Sequence, residues 1–81
     1  KDLKNFINEL ELSKMDYRMI SDLYYLKSKR WNIKTKDGIF IKLPSHDTVK
    51  FLNLANKLQI NKDIIVKDTI DLTVQGQIII N

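Results

Sequence analysis

The sequence predicts an α+β domain with a mostly antiparallel sheet, element order αβββαββ and helices packed on one face of the sheet. Three observations carry that reading. Apolar residues recur at helical spacing in two stretches, they alternate with a period of two in the stretches beside Asp37-Gly38 and Gln75-Gly76, and both glycines stand in turns between alternating runs. At 81 residues the chain holds one core, because a domain of this size withdraws only about 60–65% of its unfolded surface from water. Residues 1–81 are therefore read as a single domain.

Leu3, Phe6, Ile7 and Leu10 fall at i, i+3, i+4 and i+7, which predicts an amphipathic helix from Asp2 to Leu12 with Lys1, Asn5, Asn8 and Glu9 on its polar face. Ser13 to Ser28 supports two periods: Met19, Leu23 and Leu26 fit a helix, while Ile20, Tyr24 and Leu26 alternate. Three tyrosines and the absence of alanine favour a strand from Tyr17 to Ser28. Trp31, Ile33 and Thr35, then Ile39, Ile41 and Leu43, form the apolar rows of a β-hairpin. A two-residue Asp37-Gly38 turn would set Lys36 opposite Ile39 and Lys34 opposite Ile41. A loop of Lys36-Asp37-Gly38 instead pairs Thr35 with Ile39, Ile33 with Ile41 and Trp31 with Leu43, which keeps one face apolar and uses Gly38 at positive φ. The second register is the expectation.

Pro44 ends that strand, and Ser45 or Asp47 can cap a helix from about Asp47 to Gln59, whose stripe is Val49, Phe51, Leu54, Ala55 and Leu58. Thr69 to Val74 alternates with Ile70, Leu72 and Val74 inward, Gln75-Gly76 turns the chain, and Gln77 to Ile80 closes it as a strand.

Hydrophobic residues at 43% and charged residues at 30% describe a folding chain rather than a disordered one. The lack of Cys removes disulfides, thiolate zinc sites and Cys nucleophiles together. Lys1 opens the chain in place of Met, and no apolar run reaches 18 residues, so a leader or membrane span is expected only in a parent protein upstream. The formal charge is +4, yet twelve of the fourteen basic residues are Lys in a chain also rich in Asn and Ile. That is the mark of coding bias toward A and T, which weakens charge as an argument for a polyanionic partner.

His46 lies between Ser45 and Asp47, but triad members converge from separate parts of a fold, so capping and solvent exposure account for these three. One His without Cys cannot build a usual zinc site. Asp68 and Asp71 flank Ile70 and read as solvated surface charges, Asp71 with Lys67 nearby. GxxxxGK[ST], GxGxxG and HExxH are all absent. No catalytic residue, metal or cofactor is expected, and the chain is not read as an enzyme. Lys27, Lys29, Arg30, Lys34 and Lys36 interleave with Tyr24, Tyr25 and Trp31, the composition of a single-stranded nucleic-acid platform. Since Trp31 shares a face with Ile33, it is assigned to the core, and a small basic nucleic-acid-binding module stays the alternative rather than the leading reading.

The end of the chain carries the strongest functional signal. Ile78, Ile79 and Ile80 put apolar side chains on both faces of the last strand, and nothing from Gln77 to Ile80 supplies the charge, Pro or bulge that blunts a natural edge. The strand is either an inner one, covered by further chain, or an edge open to strand addition by a partner. The candidate partner-binding residues are Thr73, Val74, Gly76, Gln77, Ile78, Ile79 and Ile80. On the edge reading, Ile79→Pro is expected to remove an outward donor while leaving the fold largely intact.

The run Lys29-Arg30-Trp31-Asn32-Ile33, Asp37-Gly38-Ile39, Ile41-Lys42-Leu43-Pro44, a helix, and Ile70-Asp71-Leu72 before a short hairpin resembles the C-terminal β domain of the FtsQ/DivIB bacterial cell-division family. The likeness spans roughly residues 6–81; Thr73 departs from it where the family usually has Arg, and so does Gln75-Gly76-Gln77 in the last turn. The resemblance implies a non-enzymatic divisome scaffold on the periplasmic side of the bacterial inner membrane at the septum. It implies an N-terminal membrane span outside this chain, and partners among small coiled-coil bitopic proteins such as FtsB and FtsL, taken up as a strand at the C-terminal edge.

Overall fold

The structure, a computed structural model, describes residues 3–81. Helix α1 (Leu3–Leu12) leads through a short 3₁₀ turn (Tyr17–Met19) into strands β1 (Ile20–Tyr25), β2 (Trp31–Thr35) and β3 (Phe40–Lys42). Helix α2 (Thr48–Ile60) crosses over to β4 (Thr69–Asp71), and β5 (Ile79–Ile80) follows. The strands lie in the order β1-β2-β3-β4-β5, antiparallel except for the parallel β3–β4 pair that α2 connects. This is the α+β architecture and element order the sequence predicts. Asp2, placed at the start of α1 by its periodicity, lies outside the described residues.

The β2–β3 hairpin has the predicted register: Ile33 faces Ile41, and the Leu43 N–H donates to the Trp31 carbonyl. Its loop is Lys36-Asp37-Gly38. The Gly38 N–H donates to the Thr35 carbonyl at 3.0 Å, the Thr35 N–H donates to the Ile39 carbonyl at 2.9 Å, and Gly38 sits at φ 86°. The β1–β2 hairpin repeats this geometry, with the Lys29 N–H on the Leu26 carbonyl and the Leu26 N–H on the Arg30 carbonyl, both at 2.9 Å. Here Lys29 fills the position of Gly38 at φ 63°, where a Cβ costs about 1–2 kcal/mol.

Trp31, Ile33, Ile41, Leu43, Ile70 and Leu72 face the helices and are buried with Phe6, Leu10, Leu52, Ala55 and Leu58. Phe6 stacks on Trp31 at 4.7 Å between ring centroids, which seats α1 over β2. The Lys14 N–H on Asn53 Oδ1 at 2.7 Å ties the end of α1 to α2. Trp31 Nε1 is buried without a hydrogen-bond partner among the described residues, a penalty of about 1–3 kcal/mol for an orphaned donor.

Four elements, β1, α2, β4 and β5, differ from their sequence reading, β5 being Ile79–Ile80 rather than Gln77 to Ile80. Tyr17–Met19 is a 3₁₀ turn rather than strand, because the Asp16 carboxylate accepts the Arg18 N–H and holds the chain in a tight turn before β1. Asp47 is the N-cap of α2 but sits at φ 51°, ψ 44° and makes no side-chain capping bond, since that left-handed backbone replaces the extended one a cap requires. On α2 it is Leu52, fully buried, with Ala55 and Leu58 that meets the core, while Phe51 and Leu54 are only half-buried. Val74, expected inward, is 41% exposed, because β4 ends at Asp71.

Candidate strand-docking edge

Strand β5 is the last strand of the sheet and pairs with β4 alone. The register opposes Ile70 to Ile80 and Asp71 to Ile79, and Thr69 and Asn81 exchange hydrogen bonds in both directions, at 2.9 and 3.2 Å. Antiparallel pairs alternate between bonded and non-bonded. Thr69–Asn81 and Asp71–Ile79 are thus the bonded pairs, and the N–H and C=O of Ile80 point away from β4 into open space. The alternation corrects the expectation for Ile79: its N–H belongs to the internal ladder, so proline there breaks the β4–β5 pair instead of the open side.

The loop that delivers β5 is built locally. A turn from Val74 to Gln77 closes with the Gln77 N–H on the Val74 carbonyl at 3.1 Å, and Gly76 supplies φ 75° at its third position, the signature of a type II turn. Ahead of it, Asp71 Oδ1 accepts the Thr73 N–H at 2.9 Å and the Thr73 hydroxyl at 2.6 Å. Burial pushes the Asp71 carboxyl up, but the two Thr73 bonds and the charges of Lys42 and Arg30 outweigh it and hold the group below its ordinary 3.8. The carboxylate expected on the surface beside Lys67 is therefore half-buried and committed to its own loop.

Ile80 packs against the core, while Ile78, just ahead of β5, is 49% exposed and lines a groove of about 590 Å³. The far wall is the first half of α2, with Lys50, Phe51 and Leu54, and the floor includes Leu72 and Val74. His46 lies on the rim, exposed, its ring edge-on to Phe51 at 5.9 Å. Lys50 Nζ stands 5.5 Å from the centre of the same ring. The edge therefore offers main-chain groups beside an apolar trough with a cationic lip.

The fold brings together Thr73, Val74, Gly76, Gln77 and Ile78 around this groove, Thr73 being also engaged by Asp71, while Ile79 and Ile80 form the strand itself. Sequence reasoning missed Phe51 and Leu54 as the opposite wall. The signal was present as a helical stripe wider than the Leu52, Ala55 and Leu58 face needed for the core.

Of the other candidates, Trp31 is buried, Lys27 and Lys29 stand at one end of β2 and Lys36 at the other, while Tyr24 and Tyr25 lie exposed on β1. Ser45, His46 and Asp47 form no hydrogen-bonded set, and among the described residues no group of three or more His, Cys, Asp or Glu is placed to hold a metal ion. Among the described residues no helix is long and apolar enough to cross a membrane. No family model matches the chain, and no curated protein or solved structure matches it either.

Proposed function

We propose that this chain is a protein-binding domain that accepts one strand of a partner along β5. We propose further, from the resemblance of roughly residues 6–81 to the FtsQ/DivIB pattern, that it serves as the β domain of a non-enzymatic cell-division scaffold at the periplasmic face of the inner membrane. The observation that carries the binding reading is an edge with outward Ile80 main-chain groups, no charge, Pro or bulge of its own, and an apolar groove alongside. An added strand gains ladder hydrogen bonds from the edge, and its alternate side chains enter the trough between Ile78 and Phe51.

The test is a titration with the extracytoplasmic segment of a small coiled-coil division partner of the FtsB or FtsL kind. Ile80→Pro removes the outward donor without touching a β4–β5 ladder bond, and the preceding Ile79 is already extended, as proline demands. Binding by the wild type and its loss in a folded Ile80→Pro variant is the expected result. Equal binding by both places the interaction elsewhere; no binding by either removes the division reading.

A further inference from the structure

We infer that Asp71 is the positioning residue of this edge, its carboxylate holding the chain in the one conformation that returns β5 to β4 in register. The inference rests on the strand-docking reading for its purpose, though not for its geometry.

Asp71 occupies the residue row that ties the last three strands together: Lys42 lies beside it on β3 and Ile79 opposite it on β5. From there its side chain reaches forward two residues and accepts both donors of Thr73, the N–H at 2.9 Å and the hydroxyl at 2.6 Å. Those bonds stop β4 and turn the chain toward Val74, which is why alternation fails after Leu72. Bonds to a charged acceptor are worth more than neutral ones, so this pair is comparable with what the short β4–β5 ladder gains by itself. The charged groups that act on Asp71 are Lys42 on β3 and Arg30 before β2, both cationic, and the facing Ile79 on β5 is uncharged. The carboxylate is thereby kept ionised and in its accepting form. Thr73, the residue that departs from the family pattern, is the one that supplies both donors.

Amide hydrogen exchange on the isolated chain tests this without any partner. Asp71→Ala is expected to speed exchange at Ile79 by about tenfold to a hundredfold, the equivalent of losing one or two charged hydrogen bonds, while Ile33 and Ile41 in the central strands change little. Thr73→Ser keeps both donors and is expected to match the wild type; Thr73→Val loses one and should fall between. An unchanged Ile79 amide in Asp71→Ala overturns the inference, and so does an equal rise at Ile33, Ile41 and Ile79, which would make Asp71 a general stabiliser. Failure of the docking reading looks different: normal Ile79 protection, released by Asp71→Ala, with no partner bound.

Discussion

Strands β1 and β5 close the same sheet at opposite ends, and the longer of the two is the better defended. β1 runs for six residues but carries a bulge between Ile20 and Asp22, where the Ser21 hydroxyl turns back toward the carbonyls of Lys34 and Thr35 at 3.2 and 3.4 Å. The bulge breaks the regular spacing of outward donors and acceptors, and the charge of Asp22 follows immediately. β5 is two residues long and carries neither device. On the docking reading, what makes an edge receptive is regular spacing beside an apolar groove, and length alone counts for little.

The largest effect should come from charging each edge in turn. Ile78→Lys places an ammonium in the groove and is expected to weaken partner binding by at least about a hundredfold. Tyr24→Lys, on exposed β1, should leave affinity unchanged in the same calorimetric titration. Equal losses would mean that both edges, or neither, contact the partner.

A smaller effect is expected from deleting Ser21. Removing the extra residue straightens β1 at the loss of about 1 kcal/mol in hydrogen bonding, and the regularised edge should self-associate in sedimentation velocity. A variant that stays monomeric would show that Asp22 alone guards this side.

The smallest effect is with acid. Because the Asp71 carboxyl lies below 3.8 when folded, the stability it supplies is complete above that value and is lost as pH falls through its folded-state pKa. β5 should therefore loosen in the acid range before β1 does, read by the Ile79 and Tyr24 amide resonances, both in ladder-bonded pairs. Simultaneous loosening would mean that the two edges share one opening event.

Much of the β1–β3 meander was legible because short-range rules agree there: one face had to stay apolar, and Gly38 could take positive φ. Both constraints act within a dozen residues. The α2 face was misread because Phe51, Leu54, Ala55 and Leu58 make as good a stripe as Leu52, Ala55 and Leu58; the rotation of the helix is decided by the sheet beneath it. The end of β4 was overextended because Ile70, Leu72 and Val74 alternate well, and only the Asp71–Thr73 bonds interrupt them. The unprotected last strand was visible as three consecutive isoleucines, but the sequence left it open between an inner strand and an edge, and its groove needed residues 46–54 brought next to residues 72–78.

The parallel β3–β4 pair has a consequence for the order in which the chain acquires its parts. β1, β2 and β3 join through two tight loops and can assemble from near neighbours. β4 reaches the sheet only after the whole α2 crossover has closed, and among the described residues β5 pairs only with β4. Closing a long connection before any contact rewards it is slow, so these two strands dock last. The β5 edge is thus a late product of folding, and on the proposed docking a partner strand would select chains in which the crossover is already complete.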